Sequence, residues 1–226
     1  MQNQDIDQRF IAEPLAAIDE ILSGIDYESI SPEPHKRVNE AMEVWLSNPV
    51  NVANIPILNA ATLVHLNSAF IQAGSLVRFR GMIQDTSFGQ EVYISRYANG
   101  HEWKFNAYRD HNPDELSSET EQEQGANFIV ERTSMEDRDL WYAVSTPGLS
   151  GWTGQAQVSG ENQGIRTENP KYPLAGQPHI GVVLKFYGLD PNHPPAGVAD
   201  LVDIIGVAGT CYSSQDHVIH VLALRK

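Results

Sequence analysis

The chain is short of several things, and each shortage removes a class of protein. It has one cysteine, Cys211. Disulfide scaffolds and thiolate zinc sites both need more. Cys211 could be a reactive nucleophile or a small residue at a strand end, and the second reading is adopted. No apolar run approaches the ~18 residues of a membrane span. The opening "MQNQDIDQRF" is polar and carries no signal core. A soluble, intracellular protein is expected, with no membrane partner.

Basic residues are also scarce. There are 15 Lys and Arg against 29 Asp and Glu, a net charge of −14 and a pI near 4.8. Such a chain is poorly suited to wrapping nucleic acid or coating an anionic membrane. A small basic site on an acidic body remains possible on these numbers.

Catalytic signatures are missing too. "GLSG" at Gly148–Gly151 falls one residue short of the G-x-S-x-G frame and reads as a turn. No P-loop, dinucleotide fingerprint or kinase signature occurs. His217 and His220 form an H-x-x-H, but on a strand the two side chains point to opposite faces. Asp200 and Asp203 have the same problem, and His101 and His111 have no third ligand nearby in sequence. The chain is therefore expected not to be an enzyme, with no cofactor, metal or small-molecule ligand.

What is present divides in two. Phe10, Leu15, Ile18, Ile21 and Leu22 form one helical stripe, which Pro14 breaks or starts. Ser31 and Pro32 suit the start of a second helix, whose buried side is Val38, Met42, Trp45 and Leu46. Asn48-Pro49 ends it, and a short turn or helix is expected from Asn59.

After Ser68 the period becomes two. The spacing predicts strands at Ser75–Gln84, Glu91–Tyr97, Glu102–Arg109, Asn127–Arg132, Trp141–Ser145, Ile180–Tyr187, Leu201–Val207 and Val218–Leu224. An Asn-Gly turn in "YANGHEW" predicts a hairpin, and the first three strands are expected as an antiparallel meander. The fold class is thus mainly β with N-terminal α-helices: an elaborated OB-like antiparallel barrel. A helical region over 1–66 precedes a barrel domain over 67–226, with polar insertions at about 110–126 and 154–179.

Charge is uneven. Residues 1–50 hold ten acids and three bases, and residues 110–140 ten acids and two bases. Residues 77–109 hold three acids and five bases. Stacking of bases on this basic unit would use Phe79, Tyr93, Tyr97, Trp103, Phe105 or Tyr108, with Arg78, Arg80, Arg96 and Lys104. Alternation puts Phe79 beside Val77 and Ile83, and Trp103 beside Phe105, so most of these aromatics read as core. Gly81 reads as a bend or bulge. Arg78 and Arg80 are expected to pair with Asp85 and Glu91.

"LVRFRGMIQDTSFGQEVYISRY" resembles the N-terminal signature of the minichromosome maintenance complex-binding protein family. The matches are Val77, Arg78, Phe79, Arg80, Met82, Ile83, Gln84 and Asp85, then Glu91 and Tyr93. "KFNAYRD" (Lys104–Asp110) is similar to the family's Tyr-Arg-Asp segment. "ERTSMEDRDLWYAVSTPGLSGW" is similar to its Glu-Arg strand followed by Pro-Gly and a Trp. "VVLKFYG", "DLVDIIGVAGT" and "HVIHVLAL" resemble its later strands, and "VWLSNPV" a Trp-Leu-Ser segment.

The resemblance implies a nuclear adaptor or chaperone for subunits of the minichromosome maintenance helicase. It would act in DNA replication, the cell cycle and sister-chromatid cohesion. It also implies a longer protein with a further domain. Charge suggests that the acidic segments 110–124 or 1–50 contact the partner; the candidate residues are Asp114, Glu115, Glu119, Glu121 and Glu123, together with Arg78 and Arg80. The alternative is an OB-fold module for single-stranded nucleic acid.

Overall fold

The structure is a computed structural model. It describes residues 9–23, 33–59, 72–99, 102–110, 133–146, 173–174, 176, 179–210 and 216–226. The expected strand at 127–132, the start of the second helix at Ser31 and Pro32, and most of both polar insertions lie outside these residues.

Pro14 opens helix α1 (Pro14–Leu22), where its missing N–H costs nothing. Helix α2 (Glu33–Leu46) buries Val38, Met42, Trp45 and Leu46. A short helix not expected from the sequence follows: α3 is Pro49–Asn54, and the Asn48 side chain caps it by accepting from the Val50 N–H at 3.1 Å. The turn or helix expected from Asn59 lies outside the described residues.

The strands are β1 (Leu76–Asn99), β2 (Glu102–Phe105), β3 (Thr133–Ser145), β4 (Gly181–Tyr187), β5 (Leu201–Ala208) and β6 (Asp216–Arg225). The sheet order is β2-β1-β3-β4-β6-β5, and β1 also pairs with β5, so five strands close in a ring. Only β4 and β6 run parallel; the other pairings are antiparallel.

The expected meander is corrected here. The first two predicted strands are one continuous strand, β1, with register shifts at Ile83/Asp85, Asp85/Gly89 and Ile94/Arg96. Its first part, Leu76–Met82, pairs with β5; the stretch Gly81–Tyr97 pairs with β3; its end pairs with β2. β1 and β2 do pair antiparallel, as a hairpin requires, with Asn99 opposite Glu102; the turn between them lies outside the described residues. Shifts absorb the polar stretch 85–90, which reads in sequence as a loop between strands.

One face of every ring strand meets in a shared core. Val77, Phe79, Ile83, Trp141, Val182, Leu184, Ile204 and Ile219 belong to it, and all are at most 3% exposed. Gly81 serves this core by close approach. A Cβ there would lie 2.4 Å from the Phe79 ring and 2.6 Å from the Val144 carbonyl oxygen. The nearest bulge follows Ile83, so Gly81 itself carries none. The outer face of the ring packs against the helices through Phe10, Ile18, Met42, Trp45, Tyr108, Tyr187, Ile205 and Leu222.

Arg78 does have an acidic partner, but across the sheet. Its guanidinium grips Asp203 of β5 through Nε at 2.8 Å and Nη2 at 2.5 Å. Asp85 and Glu91 lie farther along the same strand, which is why neither partners it. Arg80 is exposed. The Arg78 pair is about a quarter exposed, 26% and 18% for the two side chains, so Arg78→Ala should cost about 1–2 kcal/mol. Arg78→Lys should recover less than half of that, because an ammonium cannot repeat the two-pronged contact. Urea unfolding midpoints of the two variants check this.

Candidate functional site: a closed ionic cluster under the helices

Alternation along the ring strands throws a few polar side chains onto the helix-covered face. On β4, Leu184 and Phe186 point into the ring while Lys185 and Tyr187 point out. On β6, Ile219 and Val221 point in and His220 points out. On β1 and β3 the outward pairs are Glu91 with Arg138 and Tyr93 with Glu136. The chain leaving β2 then brings in Asp110 after a turn at Tyr108, a non-glycine residue with φ of 62°.

These groups form one cluster. Asp110 Oδ1 accepts from Lys185 Nζ at 2.7 Å and from Arg138 Nη2 at 3.0 Å. Asp110 Oδ2 accepts from the Thr210 N–H at 3.1 Å. Glu91 Oε2 lies 2.9 Å from Lys185 Nζ and 3.0 Å from Arg138 Nε. Two cations thus face two carboxylates. The side chains of Asp110, Lys185 and Arg138 are only 1%, 3% and 4% exposed. Burial of this kind is stable only when charges balance and hydrogen bonds are made.

A chain of hydrogen bonds fixes the neutral members. Arg138 Nη1 donates to the Tyr187 hydroxyl at 2.8 Å. The hydroxyl proton is then free to point at His220 Nδ1, 2.6 Å away. That leaves the His220 proton on Nε2, which faces Asp110 Oδ2 at 3.1 Å, although the approach is too bent to count as a full hydrogen bond. His35 of α2 reaches in from the helix side. Its Nδ1 lies 3.1 Å from the Tyr108 hydroxyl and its Nε2 3.3 Å from the Tyr93 hydroxyl. The rings of Tyr108 and Tyr187 pack at 4.6 Å, and those of Tyr93 and Tyr187 edge-on at 5.1 Å.

Burial alone would raise the Asp110 pKa. The close contacts with His220 and Lys185 outweigh it and hold the carboxyl well below the usual carboxylate range. Burial pushes His220 below the ordinary histidine value, against the pull of Asp110 and with the help of Arg138 and Lys185. The approach of His35, whose Nε2 lies 3.7 Å from its carboxylate, holds Glu136 down, against burial. All three groups bind protons more readily in the unfolded chain. Stability is therefore full above the unfolded values, about 6.5 for His and about 4 for the acids, and is lost as pH falls below them. The urea midpoint should drop already between about pH 7.5 and pH 5, and His220→Gln should flatten that early part of the slope while the carboxylate part remains.

The arrangement pins parts together. Asp110 ties the segment after β2 to β3 and β4, and His35 ties α2 to β1 and to the segment after β2. Sequence reading gave none of Asp110, Arg138, Lys185, His220 or His35 a site role. A lone Lys in "VVLKFY" and a lone His in "VIHVLAL" were the available signals. Glu91 was expected beside Arg78 and Arg80; it faces Arg138 and Lys185 instead, because it lies beyond the register shifts of β1.

The aromatics considered for base stacking are mostly interior. Phe79 and Tyr108 are fully buried and Tyr93 and Phe105 nearly so; Tyr97 is half-buried. Arg80 is exposed, away from the cluster, and Arg78 is spent on Asp203. Asp114, Glu115, Glu119, Glu121 and Glu123 lie outside the described residues. Among the described residues, no group of three or more His, Cys, Asp or Glu is placed to hold a metal. No described helix is long and apolar enough to cross a membrane.

A helix-covered ring of five strands, locked by an enclosed ionic cluster, defines a β-rich module whose buried polar residues hold its own parts together. Residues 42–177 match the family described as mini-chromosome maintenance replisome factor, over more than half of the chain, and the chain belongs to that family. It is similar to a mini-chromosome maintenance complex-binding protein of Arabidopsis thaliana, with 31% identity over 109 residues. That alignment covers 48% of this chain and 16% of the relative. Of the residues in the stretches that carry the resemblance, Glu91, Tyr93, Tyr108, Asp110, Lys185 and Tyr187 meet in the cluster, while Val77, Phe79 and Ile83 lie in the ring core.

Proposed function

We propose that the protein is a non-catalytic adaptor or chaperone that binds subunits of the minichromosome maintenance helicase. In this reading it works in the nucleus and regulates assembly or unloading of the replicative helicase, with the links to the cell cycle and to cohesion that such a role brings. Membership of the family over residues 42–177 is the observation that carries it. The ring is read as an OB-like barrel over 67–226, with the helical region 1–66 packed on it.

The physical arrangement favours a protein partner over nucleic acid. Arg78, Arg138 and Lys185 are already neutralised by carboxylates, and phosphate binding needs free local positive charge. The acidic residues Asp114, Glu115, Glu119, Glu121 and Glu123 and the exposed Arg80 are assigned to partner contact, where opposite charge steers association; Arg78, held by Asp203, is assigned to the edge of that contact.

Neutralising all five acids should weaken capture of helicase subunits and reduce its dependence on salt. Unchanged capture at moderate salt would remove those residues from the contact. The alternative, a single-strand nucleic-acid module, predicts micromolar or tighter oligonucleotide binding that Arg78→Ala with Arg80→Ala weakens. Fluorescence anisotropy at low salt decides it.

A further inference from the structure

The β1–β3 ladder has two unlike faces. Its helix-covered face carries Glu91, Tyr93, Glu136 and Arg138 into the ionic cluster. Its opposite face carries the alternate residues. Val92 stands opposite Asp137, Ile94 opposite Met135, and Gln90 opposite Asp139. Directly opposed side chains in an antiparallel pair lie about 5 Å apart, so these six form one contiguous patch.

The exposure on this face is unusual. Val92 is 63% and Met135 65% exposed, among the highest of the large apolar side chains described. Ile94 is half-buried beside them and Asp137 is exposed. Asp139 accepts from Gln90 Nε2 at 2.9 Å, which holds the pair upright on the surface. A strand that spends Val, Ile and Met on solvent is under-using them, because each would gain from burial. Methionine is well suited to a surface that must fit a partner.

Charge selects the occupant. Of the ladder's two cations, Arg138 is turned toward the helices and neutralised, and Arg96 is half-buried beyond the register shift that follows Ile94. The apolar trio is bordered by Asp137 and Asp139. The chain's own polar insertion after Asp110 is acidic in sequence and so lacks the complementary charge.

We propose that this face is a docking surface for a basic segment of a partner protein that alternates apolar with Lys or Arg side chains. The apolar groups cover Val92, Ile94 and Met135, and the cations meet Asp137 and Asp139. The inference rests on the adaptor reading only for the identity of that partner, a helicase subunit.

Two measurements on the full chain test it separately. In the first, methyl NMR follows Val92, Ile94 and Met135 as an alternating lysine–valine octapeptide is added. These methyls should shift, a glutamate–valine octapeptide should not move them, and Asp137→Lys with Asp139→Lys should abolish the response. No shift at these methyls, or equal shifts with both peptides, overturns the proposal. In the second, purified helicase subunits are titrated against the chain. Val92→Ser with Met135→Ser should weaken binding about tenfold, whereas Val44→Ser with Val50→Ser, exposed on the helices, should not. Subunit binding that ignores the first pair overturns the proposal. If no subunit binds the wild-type chain while the lysine–valine peptide does, the adaptor reading falls and the docking surface stands.

Discussion

Asp110→Asn is expected to lower the unfolding free energy by about 3–5 kcal/mol, because it strips one charge from a balanced buried set. Asn has nearly the same shape, so the loss is electrostatic rather than a cavity. Lys185 and Arg138 would keep only Glu91, which is 33% exposed. Asn would also present its amide in place of an oxygen that now accepts two charged donors. For a chain of this size the melting temperature should fall by roughly 10 °C. The companion Lys185→Met removes one of the stranded cations. In a double-mutant cycle the pair should lose clearly less than the two single changes summed. Additive losses, or a drop below about 1 kcal/mol for Asp110→Asn, would mean that the cluster does not hold the module together.

Gly206→Ala is expected to cost about 3 kcal/mol by overpacking, out of proportion to one methyl group. Gly206 lies on β5 between Val77 of β1 and Val221 of β6. The register between β5 and β6 shifts at this point, between Ile205 and Gly206. A Cβ here would sit 2.2 Å from the His220 carbonyl oxygen and 2.6 Å from the Ile219 Cγ2. The first neighbour is backbone and cannot swing aside, so β5 and β6 must part where the ring is closed. His220 would move with its carbonyl and its contact with Tyr187 would loosen. Gly206→Ala and Asp110→Asn should therefore couple rather than add. Calorimetry of the single and double variants gives both numbers. A Gly206→Ala protein as stable as wild type would contradict the close approach of these two strands.

Much of the skeleton was legible in the sequence, for reasons that can be named. Pro14 and Asn48-Pro49 mark helix boundaries because proline fixes φ and lacks a donor. The stripes Phe10–Ile18–Leu22 and Val38–Met42–Trp45 are buried as their spacing says. Alternation in Val77, Phe79 and Ile83 placed them in the core. The antiparallel pairing of β1 and β2 at Asn99 follows from its turn residues.

The misses have a common cause: they concern pairings far apart in sequence. Alternation within residues 75–97 is the same whether they form two strands or one strand with register shifts. Only the β3 partner, about 50 residues away, decides it. Arg78 finds Asp203 for the same reason, 125 positions along the chain. The ionic cluster was the least visible feature. Its members come from β1, β3, β4, β6 and the segment after β2, one or two from each. Each looks locally like an ordinary charged or aromatic residue. A single Lys inside "VVLKFY" is the kind of pattern break that marks such a place, since a lone charge on a buried strand must meet its partner there.

The proposed role requires that this chain bind helicase subunits through protein contact. The direct measurement is capture of individually purified minichromosome maintenance subunits by the immobilised full chain, read at low and moderate salt beside a single-stranded oligonucleotide. At least one subunit should be retained, retention should weaken with salt, and the oligonucleotide should neither bind nor compete. Failure of every subunit to bind the folded chain at low salt, or displacement of a bound subunit by the oligonucleotide, would contradict it.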